Sequence, residues 1–401
     1  MSNVSSSNGQ GGNCPKLRFD GFTEQWRLLR IGDVYAERSE RGAENMELLS
    51  VTMTEGVKMR SDIEGKDNSS EDKSNYKIVY IGDMVYNSMR MWQGASGISQ
   101  YDGIVSPAYT ILKPRIPISN GFFAALFKTE RLINEFRKNS QGMTSDTWNL
   151  KYPQIETIKI HIPSITEQEQ IAAFLELLDA KIAKQRDLVE SFKKYKRGVI
   201  YELFVNPDSQ FDIEMSETPM AELLSEYRNR NTEGLRVCSV AVNKGVVDQI
   251  EHLGRSFAAS DTSHYGRVKY GDVVYTKSPT GDFPFGIVKQ NKMKEEVAVS
   301  PLYGVYTPSS YATGNLLHAY FEQYQYANNY ICTLAQKGAK NTINITNQRF
   351  LEKSIRFPAK ESDREYFSTM FDMLTDKAYR AEKMLEFLIT QKRALLAQMF
   401  I

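Results

Sequence analysis

Two long segments of the same helical design constrain the fold of this chain more than any other feature. The first reads TEQEQIAAFLELLDAKIAKQRDLVESFKKYKRGVIYELF at residues 166–204, and the second reads SDREYFSTMFDMLTDKAYRAEKMLEFLITQKRALLAQMF at 362–400. Each opens on a Ser/Thr-x-x-Glu capping box, at 166–169 and at 362–365, whose hydroxyl and carboxylate satisfy early backbone N–H groups. The two segments therefore predict two long helices.

Apolar side chains repeat about every 3.5 residues along both segments, which is typical of a coiled coil. We call this set the seam. It comprises Ile171, Leu175, Leu178, Ile182, Val189, Phe192, Val199 and Leu203 in the first segment, and Phe367, Phe371, Leu374, Leu385, Leu388, Leu395 and Met399 in the second. Two independent amphipathic core helices would also show apolar stripes. The shared register, with Lys196 and Lys392 at the same step, favours two helices packed against each other.

The remainder of the chain is also written twice, in units of about 190 residues. The matched pairs are LLSVTMTEGV (48–57) with VCSVAVNKGV (237–246), YIGDMVYNS (80–88) with YGDVVYTKS (270–278), and SPAYTIL (106–112) with SPLYGVY (300–306). Each unit is a globular part followed by a long helix.

The globular parts contain short β-branched and aromatic runs punctuated by Gly-Asp and Ser-Pro, which indicate strands and turns. Apolar spacing predicts helices near 121–138 and 314–331. We expect α+β domains with a mainly antiparallel sheet. The predicted order is a flexible tail (1–15), a first domain (16–163), a long helix (164–205), a linker (206–217), a second domain (218–358) and a second long helix (359–401).

Composition excludes several classes of protein. The net charge is +1, so any polyanion must bind to local patches. The three cysteines include no C-x-x-C pair and the four histidines are scattered, which argues against a disulfide scaffold or a zinc site. No apolar run approaches about 18 residues, so we expect no membrane contact and a cytoplasmic protein.

Catalytic motifs are weak. SPAY and SPLY only partly match the [NDS]-P-P-[YF] box of amino-methyltransferases, and their matched positions favour strand starts. The sequence has no G-x-x-x-x-G-K-[ST] phosphate loop. Asp83 and Asp272 follow glycine in matched turns, where turn formation is a better explanation than nuclease chemistry. The chain is therefore predicted to bind rather than to catalyse.

The first long segment, with its leader IPS and its ending KKYKRGVIYELF, resembles the helical region of the specificity (S) subunit of Type I restriction–modification enzymes. The segment PKLRFDGFTEQWRLLRIGDV at 15–34 resembles the beginning of the first target-recognition domain of that family. The likeness extends over about residues 15–401.

The resemblance implies two DNA target-recognition domains, separated by an antiparallel coiled coil of the two long helices in a pseudo-two-fold internal repeat. It implies an asymmetric bipartite target in double-stranded DNA and a role in defence against foreign DNA. It also implies two modification (M) subunits that use S-adenosylmethionine, and restriction (R) subunits that use ATP and Mg. The S subunit itself would hold no cofactor and perform no chemistry.

Side chains that read bases are donors and acceptors on loops, such as Arg for guanine and Asn or Gln for adenine. The first domain offers Arg38, Arg41, Ser88, Arg90, Trp92, Gln93, Gln141, Thr144, Ser145 and Asn149, with Trp148 as either an interface or a core residue. The second domain offers Arg228, Arg230, Asn231, Lys277, Ser278, Thr280, Lys337, Lys340, Asn341 and Asn344. Each residue alone could be an ordinary surface group, but their matched placement selects them.

Two alternatives remain open. A DNA adenine methyltransferase or nuclease acting alone would bind S-adenosylmethionine or a metal ion as an isolated chain. A coiled-coil scaffold that binds only protein would show no sequence-dependent affinity for DNA.

Overall fold

The computed structural model describes residues 4–6, 13–42, 45–53, 55–67, 69–206, 211–255, 258–337 and 343–401. The chain divides into two compact units. The first unit comprises Met1–Arg186 and Lys383–Ile401, and the second comprises Asp187–Glu382.

The first unit begins with short strands and ends on a long helix. Its strands are β1 (Val4–Ser6), β2 (Leu17–Phe19), β3 (Arg27–Arg30), β4 (Tyr35–Arg38), β5 (Leu49–Thr52), β6 (Gly56–Met59), β7 (Lys77–Val79), β8 (Met84–Asn87), β9 (Ser96–Ile98), β10 (Gly103–Val105), β11 (Tyr109–Pro114) and β12 (Lys159–Ile162). Its helices are α1 (Ile31–Val34), α2 (Asn120–Leu126), α3 (Glu130–Asn139), α4 (Tyr152–Ile155), the first part of α5 (Ile165–Phe204) and the last part of α11 (Glu361–Met399).

A four-stranded antiparallel sheet in the order β4-β11-β8-β9 organises this unit. Around it lie the pairs β5–β6, β7–β10, β3–β12 and β1–β2, all antiparallel. The main core joins the sheet to both long segments, because Trp26 and Phe122 pack with Ile171 near the start of α5 and with Met399 and Phe400.

The second unit contains the matching elements. Its strands are β13 (Met215–Pro219), β14 (Leu224–Glu226), β15 (Cys238–Ala241), β16 (Gly245–Asp248), β17 (Gly266–Val268), β18 (Val273–Tyr275), β19 (Val288–Gln290), β20 (Val297–Val299), β21 (Gly304–Pro308), β22 (Gln336–Lys337), β23 (Ile343–Asn344) and β24 (Ser354–Pro358). Its helices are the last part of α5, α6 (Met220–Leu223), α7 (Gln249–Leu253), α8 (Tyr311–Glu322), α9 (Tyr324–Ile331), α10 (Asn347–Phe350) and the first part of α11 (Glu361–Met399).

Strand pairing repeats from one unit to the next. The second sheet has the order β14-β21-β18-β19, and the pairs β15–β16, β17–β20 and β13–β24 correspond to β5–β6, β7–β10 and β3–β12. The parallel bridge between Leu48 and Ile104 recurs between Val237 and Ala298. The predicted α+β fold and internal repeat are confirmed, and each predicted helical region is a pair of helices, α2–α3 and α8–α9.

The seam is buried or half-buried at every predicted position of α5 and α11. In the first unit the start of α5 packs with the end of α11, and Asp179 pairs with Lys392. In the second unit the end of α5 packs with the start of α11, and Lys193 pairs with Glu382 at 2.8 Å. Within each unit the two helix segments therefore run antiparallel.

Three local predictions need correction. The capping boxes are wrong, because α5 begins at Ile165 and α11 at Glu361. The backbone N–H of Glu167 donates to Ser164 Oγ at 3.4 Å, so Ser164 takes the capping position. Strand β13 begins at Met215, inside the predicted linker. In the predicted tail, β1 pairs with β2, whereas residues 1–3 and 7–12 lie outside the described residues.

Candidate nucleic-acid interface

A buried ion pair joins the two segments on which the resemblance rests. Arg18 Nε and Nη2 donate to the two carboxylate oxygens of Glu167 at 2.7 and 2.8 Å, and Trp26 Nε1 donates to the same carboxylate at 3.3 Å. The Glu167 hydrogen bond raises the pKa of Arg18. Because Glu167 lies in the first turn of α5, this contact fixes the start of the first domain to the long helix.

Two of the three predicted loops of the first domain meet. The indole rings of Trp92 and Trp148 pack edge to face with centroids 5.3 Å apart, and Leu150 N donates to Ser88 O at 2.9 Å. These contacts bring the loops 88–93 and 141–149 onto one surface. Its exposed candidates are Arg90, Gln93, Gln141, Thr144 and Ser145.

Two candidates in these loops are not free surface groups. The Ser88 hydroxyl is buried and shares a hydrogen bond of 2.8 Å with Thr110 Oγ1. We therefore leave Ser88 out of the interface. Asn149 is half-buried, and its side-chain oxygen accepts no hydrogen bond within the part of the chain that the structure describes.

Arg38 is held inside the first domain. Its guanidinium forms a two-point ion pair with Asp83 at 2.7 and 3.1 Å, contacts Glu40, and lies 4.6 Å from the ring centre of Tyr80. Tyr80 N also donates to Asp83 at 3.0 Å, which confirms the predicted turn role of this aspartate. Few donors of Arg38 remain for DNA.

The cation and the ring exchange places in the second domain. Tyr227 takes the place of Arg38, since Arg38 pairs with Ile111 of β11 and Tyr227 N donates to Val305 O of β21. Lys269 follows β17 as Tyr80 follows β7, and Lys269 Nζ lies 5.4 Å from the ring centre of Tyr227. The contact is retained although both residues differ. Its turn is retained too, since Lys269 N donates to Asp272 at 2.8 Å.

Arg41 and Arg230 occupy matched, exposed positions. Arg41 forms an isolated antiparallel bridge with Lys77, the first residue of β7, and Arg230 forms one with Gly266, the first residue of β17. A cation repeated at the same place in two otherwise diverged loops suits a phosphate contact, which needs charge but no particular base.

Lys277 is the only residue other than glycine with a positive φ within the described ranges, at 53°. Such backbone strain costs about 1–3 kcal/mol and is often found at ligand sites. Lys277 Nζ donates to Asn347 Oδ1, and Asn347 Nδ2 donates to Glu226 at 2.7 Å. Burial lowers the pKa of Lys277. Arg228 pairs with Glu226 at 2.8 Å and lowers the pKa of that carboxyl.

This cluster joins two predicted sets, at Arg228 and Lys277, through a residue that sequence reasoning missed. Asn347 opens the four-residue helix α10. The only sequence signal was Thr346, which caps that helix by accepting from Arg349 N at 3.1 Å. Nothing in the sequence linked Asn347 to residues about 70 and 120 positions earlier.

The other second-domain candidates have mixed positions. Asn231 is buried, and its side chain bonds Leu235 and Thr262, so we also leave it out of the interface. Ser278 is exposed and Thr280 half-buried. Lys337 and Asn344 lie in β22 and β23, and the Gln336–Asn344 pairing matches Gln141–Asn149. Lys340 and Asn341 lie outside the described residues.

Residues 26–190 match the family model of the Type I restriction modification DNA specificity domain. This part of the chain is similar to the specificity domain of that family. The match covers most of the first domain and the first part of α5, so the specificity-domain assignment includes Trp26, Glu167 and the Trp92–Trp148 loops. No curated protein sequence matches the chain.

Solved structures extend the likeness of fold to the whole chain. The S subunit of a Type I restriction–modification system from M. genitalium matches with a TM-score of 0.60 at 12% identity, covering 97% of this chain and 99% of that one. A chain of a type I R-M system, solved in work on complex assembly and conformational transition, matches with a TM-score of 0.52 at 13% identity, covering 92% and 96%. The fold is that of a Type I specificity subunit.

The residues that the structure describes contain no group of three or more His, Cys, Asp or Glu side chains that could hold a metal ion. No helix formed by these residues is long and apolar enough to cross a membrane.

Proposed function

We propose that this chain is the DNA sequence-recognition subunit of a Type I restriction–modification complex. Each domain reads one half of an asymmetric bipartite target, and the chain positions the modification and restriction subunits on that DNA. Two M subunits transfer the methyl group of S-adenosylmethionine to adenine. R subunits use ATP and Mg. The chain itself holds no cofactor and catalyses no step, and the complex works in the cytoplasm.

The observation that carries this proposal is a repeated scaffold with different side chains at its matched loops. The position of buried Ser88 in the first domain is taken by strained Lys277 in the second. Trp92 packs against Trp148 at the joined loops of the first domain, whereas Lys277 donates to Asn347 in the second. Similar strand arrangements that carry different loop side chains support the recognition of two different DNA sequences.

Phosphate contacts and base contacts would come from different residues. Arg41 and Arg230 are common to both domains and suit the backbone. Arg90, Gln93 and Gln141 are exposed on the joined loops of the first domain and suit base edges. The net charge of +1 is compatible with this role if partner subunits supply much of the remaining phosphate contact.

Domain exchange tests the proposal. Replacing residues 16–163 by the first domain of another family member should change one half of the methylated motif and leave the other, as read by sequencing DNA from cells that also express the M subunit. The reciprocal exchange of 218–358 is the matched control. A change in both halves, or in neither, would refute the two-reader proposal.

Calorimetry on the isolated chain addresses the alternatives. Binding of S-adenosylmethionine or of Mg²⁺ would favour an enzyme that acts alone. A complex that includes the M subunit but binds all DNA sequences equally would favour a protein-binding scaffold.

A further inference from the structure

Lys128 holds two loops of the first domain together through a single ammonium group. It is half-buried between α2 and α3, and its Nζ donates to Met53 O at 3.0 Å and to Gly94 O. Within the described part of the chain no ion pair includes Lys128. Burial lowers its pKa to about 8. A lysine withdrawn from water with only carbonyl partners is costly, so its place needs a reason.

The loop that Lys128 holds is the one that presents the exposed candidates of the first domain. Gly94 closes the short turn that contains Arg90, Trp92 and Gln93, with φ at 85°. Gly94 N donates to Met91 O at 2.8 Å. The other partner, Met53, follows β5 at the end of the β5–β6 hairpin. One donor therefore sets the distance between this turn and the hairpin.

In the second domain the position that matches Lys128 is an acidic residue, Glu322, which also connects the sheet edge to the helix pair. Lys128 directly precedes Thr129, the N-cap of α3, and Glu322 directly precedes Gln323, the N-cap of α9. Glu322 accepts from Lys289 Nζ at 3.2 Å, and Lys289 lies on the edge strand β19 that matches β9. Each domain thus fastens the edge of its sheet to the junction of its helix pair.

The residues at the two matched positions, Lys128 and Glu322, each lie near a lysine of a long helix. In the second unit, Lys196 of α5 donates to Glu322 at 2.8 Å. In the first unit, the equivalent Lys392 lies near Lys128, whose pKa it lowers, and pairs instead with Asp179. Asp179 thus gives Lys392 the acidic partner that Lys128 does not provide.

We propose that Lys128 is a positioning residue for DNA recognition by the first domain. By fixing Gly94 against Met53 it holds Arg90, Trp92 and Gln93 in the geometry in which they contact bases. Glu322 has the equivalent role in the second domain. The expected effect on DNA recognition rests on the proposed function. The expected effect on the position of the loop rests on the hydrogen bonds of Lys128 alone.

The experiment compares Lys128→Met, which removes the donor, with Lys128→Arg, which keeps one. Lys138→Met is the control, since Lys138 is exposed in the same domain and pairs with Glu135 on its own helix. Hydrogen–deuterium exchange of the peptide covering 88–96 should accelerate in Lys128→Met alone. With the M subunit, methylation of targets carrying single-base changes should show a loss of about tenfold in preference in the first half only. Lys128→Arg should restore most of it.

The two readouts separate the possible failures. Unchanged exchange of 88–96 in a folded Lys128→Met variant would overturn the inference, and so would equal losses of preference in both half-sites. If exchange accelerates while the wild-type complex methylates no defined motif, the loop contact stands and the proposed function fails together with the assigned role in recognition.

Discussion

The Arg18–Glu167 ion pair is buried, and its burial determines how much stability should be lost when the pair is broken. Both side chains are nearly inaccessible, at 7% and 1% exposure. Replacing Arg18 by Met removes two hydrogen bonds to the carboxylate and leaves a buried charge whose one remaining side-chain donor, among the residues that the structure describes, is Trp26 Nε1. Breaking a buried pair in this way costs about 3–5 kcal/mol. We expect Arg18→Met to lower the free energy of unfolding of the first unit by that amount.

The double variant Arg18→Met with Glu167→Leu is the stringent test. It removes both charges and leaves two neutral groups without their partners, the indole N–H of Trp26 and the Glu24 carbonyl to which Arg18 Nη2 donates, at a cost of about 1 kcal/mol each. The double variant should therefore be more stable than the Arg18→Met single variant. Arg380→Met is the control, because the Arg380–Asp376 pair is 78% and 53% exposed and should contribute about 0–1 kcal/mol.

Tryptophan fluorescence isolates the relevant unit. All three tryptophans, Trp26, Trp92 and Trp148, lie in the first unit. A urea titration followed by tryptophan fluorescence therefore reports the unfolding of the first unit separately from the rest of the chain. A loss below about 1 kcal/mol in Arg18→Met, or a double variant no more stable than that single variant, would refute the reasoning.

Three further variants test other parts of the fold. Leu175→Asp should lower stability by about 3–5 kcal/mol and Leu177→Asp by less than about 1 kcal/mol, since these neighbours on α5 are 3% and 73% exposed; similar melting temperatures for the two would contradict the seam. Gly198→Ala should raise stability by about 0.5–1 kcal/mol, because a Cβ there would meet no atom within 4 Å; thermal melting checks this. Burial and nearby Lys289 lower the pKa of His318 to about 4 from its ordinary 6.5. The unfolded chain then binds a proton that the folded chain excludes, so stability should fall as pH drops from about 6.5 to about 4; His318→Gln should flatten that slope in pH-dependent denaturation, and an unaltered slope would count against it.

The fold could be predicted where buried residues recur at a regular spacing in the sequence. Ile171, Leu175 and Ile182 recur with the period of a helix pair because each faces the same partner, and that period is visible in one dimension. Strand and turn signals, such as the Gly-Asp before β8, likewise depend on neighbours in sequence.

Site residues were less predictable because their roles depend on distant partners. Arginine is a residue type that often contacts bases, but the Arg38 guanidinium pairs with Asp83 and lies over the ring of Tyr80. Both partners are more than 40 residues away in the sequence. Ser88 and Lys277 occupy the same place in the repeat, yet one is buried and the other strained. Asn347 belongs to the cluster only because α10 brings it to Lys277.

The discontinuous first unit has a consequence for biosynthesis. Its core around Trp26 and Phe122 includes Met399 and Phe400, whereas the second unit is formed by the continuous stretch Asp187–Glu382. During translation the second unit can therefore complete its core first, although its residues leave the ribosome later. Until residues 395–401 emerge, the nascent first unit exposes apolar surface to chaperones and proteases. A premature stop shortly before Leu395 should thus impair the first domain, which lies more than 200 residues earlier in the sequence.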